Sequence, residues 1–156
     1  MTETDRIIQL TGMAYGGEAI GRDDQNRMVF VPFGMPGETV RVELTDVHKR
    51  WARGCLISIE RSSPQRQQAR CPHFEICGGC HYQHIPYDLQ LTTKQDVLSD
   101  QLSRIGRLHE PPVQPIVPSP SPWGSRNKAT FSLADDGQLA YHGCSPEILV
   151  PISQCP

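Results

Sequence analysis

The chain has 156 residues, 15 of them basic and 17 acidic, for a formal net charge of −2. That length holds one ordinary domain or two small ones, and the near balance of charge gives no global pull toward nucleic acid. No apolar run approaches the roughly 18 residues a membrane-spanning helix needs, and 14 Pro with 13 Gly favour short strands and turns over long helices.

The opening MTETDRIIQL lacks the charged-then-apolar pattern of an export signal. This points to the cytoplasm and against a disulfide framework for the six cysteines. Charge is uneven along the chain. Residues 1–40 hold three basic and six acidic residues, whereas Lys49, Arg50, Arg53, Arg61, Arg66 and Arg70 face Glu60 alone between 49 and 70. Such a basic band suits either a solvated surface or a phosphate-binding face.

Residues 6–62 read as a small all-β unit. Ile7, Ile8 and Leu10 begin a strand, Ala19-Ile20 is a short apolar piece between glycines, and Asp23–Asn26 is a turn cluster. Met28–Val31 is a β-rich run ended by Pro32. Thr39–Leu44 alternates, with Val40, Val42 and Leu44 on one side. Lys49–Gly54 reads as a basic turn and Cys55–Glu60 as the last strand, with Cys55 a small core residue. About five short strands in so few residues predict a closed barrel of the OB type. Barrels of this kind bind nucleic acid by aromatic stacking plus cations, and Trp51 among Lys49, Arg50 and Arg53 fits that pattern.

Ser62–Ala69 reads as a linker. Asp88 to Ile105 is the one predicted helix, with Leu91, Leu98, Leu102 and Ile105 on a packing face, Asp88 as N-cap and Gly106 as the stop. The proline-dense stretch 110–122 excludes helix and central strand. Lys128–Leu133 and Gln138–His142 flank Asp135-Asp136-Gly137 and predict a hairpin, to which Glu147–Val150 adds a third strand. The expected class is therefore mainly β with one helix (α+β). A barrel occupies 1–62 and a second module 63–156, which looks truncated just after Cys155.

The chemistry concentrates between Arg70 and His81, where Cys71, Cys77 and Cys80 fall in a C-x5-C-x2-C spacing with Gly78-Gly79 between the last two. Three thiolates meeting at one point repel unless a cation sits there, so a metal centre with a fourth ligand is expected. Cys155 is the best fourth donor by chemistry, with Cys144 and His84 as competitors. Four thiolates suit an iron–sulfur cluster. Cys71, Cys77, Cys80 and His84 make a rival Cys3His zinc set.

Several of these stretches resemble one family, the RNA (uracil-5-)-methyltransferases that make 5-methyluridine in ribosomal and transfer RNA. The likeness begins with a TRAM-type barrel at Gly16–Gly21, Val29–Pro32 and Pro36–Val40. It continues through Ser63–Arg66, the cysteine loop, Gln83-His84, Tyr87, Gln90-Leu91 and Lys94, then Trp123–Lys128 and Gln154–Pro156. The ribosomal branch is the closer likeness. The resemblance implies a four-iron four-sulfur cluster on Cys71, Cys77, Cys80 and Cys155, leaving out Cys55 and Cys144. It implies a large-subunit ribosomal RNA partner; the basic band and its tryptophan offer Lys49, Arg50, Trp51, Arg53, Arg66 and Arg70 as candidate contacts, and the lack of a long apolar run argues against a membrane. It also implies that S-adenosylmethionine and the catalytic thiol belong to a later domain, absent from residues 1–156, so this stretch alone should be inactive. The alternative reading is a non-enzymatic RNA-binding adaptor with a zinc Cys3His site.

Overall fold

The computed structural model describes residues 4–144 and 147–156. Five strands, β1 (Asp5–Met13), β2 (Ala19–Arg22), β3 (Met28–Val31), β4 (Thr39–Val47) and β5 (Trp51–Arg61), close into a barrel in the order β1-β2-β3-β5-β4. All pairings are antiparallel except β3 with β5, where Val29 lies opposite Ala52. The alternation expected along β4 is present: Val40, Val42 and Leu44 are buried, together with Ile8, Leu10, Ala19, Val29, Val31 and Ala52, as one dry core. Closure removes the free sheet edges that a five-stranded open sheet would expose.

The turn cluster after β2 is locked by Asp23, whose carboxylate accepts the backbone N–H of Gln25 and Arg27 and pairs with the Arg27 guanidinium at 2.7 Å. The last strand begins earlier than its sequence suggests. Trp51 and Arg53 belong to β5 rather than to a basic turn, because Ala52 and Gly54 must face inward against β3 and β4. A Cβ at Gly54 would stand 3.0 Å from that of Val42, so only glycine fits without a shift. Cys55 consequently points outward and is exposed, not a core residue.

Beyond the barrel lie one helix, α1 (Tyr87–Asp100), a single π-helical turn at Gln101–Ile105, and a small antiparallel sheet of β6 (Ser132–Leu133), β7 (Leu139–His142) and β8 (Leu149–Pro151). The predicted hairpin turn is present: Gly137 has φ 79°, and its N–H donates to the Ala134 carbonyl at 2.8 Å. The helix departs from expectation in three ways. Pro86, not Asp88, holds the cap position, and Asp88 sits in the first turn, where its charge complements the helix dipole. Gly106 has φ −73°, and the left-handed residue is Arg107 at φ 54°. Finally, the predicted packing face is largely uncovered. Thr93 is the buried helix residue, while Leu98 is 46% exposed and Ile105 68%.

Residues 62–69 are not a free linker. Glu38, fully buried at the start of β4, accepts the Ser63 N–H (3.2 Å) and both the Nε and an Nη of Arg66 (2.7 and 3.0 Å); Arg66 also donates to the Phe33 carbonyl at 2.6 Å. Phe33 meets Phe74 edge-on at 5.2 Å, and Gly17, at φ +94°, lies so close to His81 and Tyr82 that a Cβ would come within 2.9 Å of the His81 side chain. The barrel and the cysteine loop are thus fastened together by a buried ion pair, an aromatic contact and a glycine.

Candidate metal centre and nucleic-acid interface

The cysteine loop is held from both ends by backbone hydrogen bonds. The Cys71 N–H donates to Gln83 Oε1 at 2.9 Å, and the Cys77 N–H to the His73 carbonyl at 2.8 Å. On the far side the loop docks on the end of β7, where Cys77 bridges Gly143, the Gly78 N–H donates to the His142 carbonyl at 3.0 Å, and the Cys144 N–H donates to the Ile76 carbonyl at 3.0 Å. Gly78 earns its place by close approach rather than by an unusual turn. Neither Gly78 nor Gly79 has a positive φ, but a Cβ on Gly78 would stand 2.8 Å from the Gly143 carbonyl oxygen. The Gly79 N–H points at the Cys77 sulfur, 3.4 Å away.

Cys71, Cys77, Cys80 and Cys155 line one small pocket, closed by Phe74, Arg126, Tyr141 and Ile152. The tail after β8 therefore returns to the loop 75–84 residues earlier in the chain. Burial, then the neighbouring Cys80 and Cys71 sulfurs, push the Cys155 thiol above its ordinary pKa, against a smaller opposing pull from Arg126. Such mutual opposition is what a central cation would relieve. Among the described residues, no three His, Cys, Asp or Glu side chains gather tightly enough to hold one metal ion.

Cys144 lies beside this set without lining the pocket; its sulfur points at the Glu75 carbonyl, 3.5 Å away. His84 does not line this pocket. It is buried against Phe74 with its Nε2 3.0 Å from the Gly34 carbonyl and its Nδ1 without a hydrogen-bond partner among the described residues; burial lowers its pKa, and it packs between barrel and loop. His73 faces Ser153 Oγ at 3.3 Å, and His81 is exposed.

The six candidate RNA contacts divide into two groups. Lys49 and Arg50 stand exposed at the tip between β4 and β5 with no ion-pair partner among the described residues. Trp51 beside them is half-buried, stacked on His48 at 4.0 Å and edge-on to Phe30 at 6.3 Å. The other three guanidinium groups have partners within the protein. Arg53 pairs with Glu18, Arg66 is enclosed by Glu38 and the Phe33 carbonyl, and Arg70 lies over the Trp123 ring at 5.3 Å. The Arg66–Glu38 pair escaped the sequence reading because charge spacing along a chain does not show which carboxylate a barrel buries. The one available signal was Glu38 in an otherwise apolar turn before β4.

The TRAM domain family matches residues 7–57, the barrel. Over 153 residues the chain is 36% identical to an uncharacterised RNA methyltransferase of Gloeobacter violaceus, covering 96% of this chain and 34% of that protein. It is 38% identical over 139 residues to a 23S rRNA (uracil(1939)-C(5))-methyltransferase of Shewanella denitrificans, covering 85% of this chain and 30% of the other. Among solved structures, the Pyrococcus abyssi tRNA (uracil-54, C5)-methyltransferase in complex with S-adenosyl-L-homocysteine superposes with a TM-score of 0.58 at 26% identity, over the whole of this chain and 33% of that one. The chain spans about a third of the length of the curated relatives it matches. The barrel thus matches the TRAM domain, and most of the chain is similar to RNA methyltransferases, uracil-C5 enzymes among them.

Proposed function

We propose that this stretch is the RNA-gripping part of an S-adenosylmethionine-dependent ribosomal RNA (uracil-5-)-methyltransferase. On this reading residues 1–62 form the TRAM barrel and residues 63–156 a module built around a four-iron four-sulfur cluster on Cys71, Cys77, Cys80 and Cys155. The observation that carries it is the shared pocket of those four thiols at the end of a chain folded back on itself. The donor set lining that pocket is all sulfur, which suits an iron–sulfur group.

The cluster's role is structural: it supplies four iron–thiolate bonds between the loop and the tail. Such a tie closes a span of roughly 80 residues and is worth several kcal/mol on loop-closure grounds. Lys49 and Arg50 meet phosphates, with Trp51 and Arg53 behind them. Arg66 is left out of the contact set because its donors are already used. Uracil becomes a carbon nucleophile only after a thiolate adds to its ring, and a base in a stack must leave it to be reached. That chemistry belongs to protein beyond these residues, and this stretch holds the RNA for it.

Anaerobic purification tests the metal centre. A brown chain with about four irons supports the assignment, and a colourless chain with one zinc refutes it. Binding to a large-subunit ribosomal RNA hairpin, measured beside a transfer RNA T-arm, tests the substrate class. Equal or stronger binding to the T-arm reverses the choice of ribosomal RNA. Methyl transfer by the chain alone would contradict the division of labour.

A further inference from the structure

The barrel face is one candidate RNA surface, but a second lies on the other side of the cysteine loop. A groove of about 810 Å3 runs between the start of α1 and the segment 119–131. That volume lies within the roughly 300–1,000 Å3 typical of small-ligand sites. The segment forming its outer wall begins in the proline-dense stretch and carries neither helix nor strand. It is pinned to the helix by a Ser119 N–H donating to the Tyr87 hydroxyl at 2.7 Å.

The lining is chemically one-sided. Lys94 and Arg126 are its Lys and Arg side chains, and no Asp or Glu side chain lines it. Its aromatic rings come in fixed poses. Lys94 Nζ sits 5.1 Å above the Tyr82 ring, and Phe131 stacks on Tyr141 at 4.6 Å with 28° between the planes. Trp123 lines the groove while Arg70, which lies over its ring, does not, so the guanidinium braces the ring from outside. Arg126 is anchored by a 3.0 Å donation to the Gly79 carbonyl inside the cysteine loop. Preset flat rings beside cations, with no Asp or Glu side chain in the lining, match the needs of an unstacked nucleotide: stacking for the base and charge for its phosphate.

We propose that this groove holds an unpaired nucleotide of the bound RNA strand, with the base against Trp123 and the phosphate between Lys94 and Arg126. The proposal rests on the RNA-binding reading above and adds a single-strand site to it. The site tolerates any base, because every base has a flat face to stack. It also shares Cys80, Arg126 and Cys155 with the thiol-lined pocket, so its inner wall depends on the cysteine loop.

The probes are hexauridylate and a blunt RNA duplex, each titrated against the 156-residue chain purified without oxygen. The chain has two tryptophans, so Trp51→Phe leaves Trp123 as the sole indole emitter; because Trp51 belongs to the proposed barrel contacts, the hexauridylate affinity of that variant is compared with the parent's. Hexauridylate should quench that emission and the duplex should not. Trp123→Ala should weaken hexauridylate binding about tenfold, in the range found for stacked bases. Lys94→Gln, an exposed change that leaves the fold alone, should lower the salt slope by about 0.7. Unquenched emission, or Trp123→Ala and Lys94→Gln chains that bind hexauridylate as tightly as the parent, overturns the groove. If Lys49→Gln with Arg50→Gln still weakens RNA binding in that case, the barrel reading survives. If the parent chain binds neither RNA, both readings fall.

Discussion

The two halves of this chain are stabilised by different physics. The barrel closes on itself around nine buried apolar side chains from its five strands. In residues 63–156 the buried apolar side chains are Ile85, Ala140 and Val150, while Ile76, Leu98, Ile105, Leu108, Val117, Phe131, Leu133, Leu139 and Ile148 are exposed. A half with so little dry core cannot offset its chain entropy by burial alone. Small folds of that kind use covalent or metal staples, and on the proposed reading the four thiols that share a pocket hold one. On that reading the barrel's stability is spread over many contacts, whereas that of the second half leans on the proposed cluster and on the joint with the barrel.

The largest effect should therefore come from the cluster. Cys77→Ser, or removal of iron by a chelator, should unfold 71–155 and leave the barrel intact, read by hydrogen exchange as lost protection confined to the second half. Protection kept throughout, or lost in both halves together, would erase the contrast. Next comes the joint. Arg66→Met leaves the Glu38 carboxylate buried without its cation, and should cost about 3–5 kcal/mol in urea unfolding, as broken buried pairs do.

The joint also sets a pH dependence. Burial alone would raise the Glu38 pKa. The Arg66 hydrogen bonds and charge, with the Ser63 and Met35 N–H groups, outweigh it and hold the carboxyl below its ordinary range. A lowered folded pKa gives stability that is complete above the unfolded value of about 4.3 and lost as pH falls through the folded one. Asp23, held low in the same way by Arg27 against its own burial, adds to this. Unfolding midpoints measured from pH 6 down to pH 2 should fall steadily. In Arg66→Met the Glu38 contribution should reverse sign and favour the acid form.

The surface changes are smaller. Lys49→Gln with Arg50→Gln should weaken RNA binding and lower the salt slope by about two units for duplex RNA, with the melting temperature unchanged. Adding Arg53→Gln should contribute less than a third unit, since Glu18 already neutralises it. The smallest effect is Leu98→Lys, which should stay within about 0.5 kcal/mol in this chain because that face of α1 is open.

What could be read in advance follows the same division. Strict alternation at Val40, Val42 and Leu44, and a glycine after two aspartates at 135–137, are local signals that tertiary structure had no reason to override. The cysteine loop was legible because thiols at short spacing have few other uses. The helix face misled, since a stripe of leucines shows that a surface wants cover but not whether these residues supply it. Trp51 was placed in a turn because its neighbours are cations, while the inward demand of Ala52 and Gly54 makes it a strand residue. His84, a competing fourth donor by sequence proximity, packs in the joint and does not line the thiol pocket. Contacts between distant residues leave little trace in sequence: Gly17 with Tyr82 leaves none, and Glu38 with Arg66 only a carboxylate in an otherwise apolar turn.

The Glu38–Arg66 clamp sets the geometry between the two proposed RNA surfaces. A loose tether would let barrel and groove swing to meet whatever strand arrived. With the joint stiff, the span from the β4–β5 tip to Trp123 becomes a built-in ruler, and any adjustment has to come from the RNA. If both proposed surfaces hold RNA, molecules whose paired stem and first free base are separated by that span would bind without deformation and others would have to bend, so discrimination among RNAs would arise with no base edge being read.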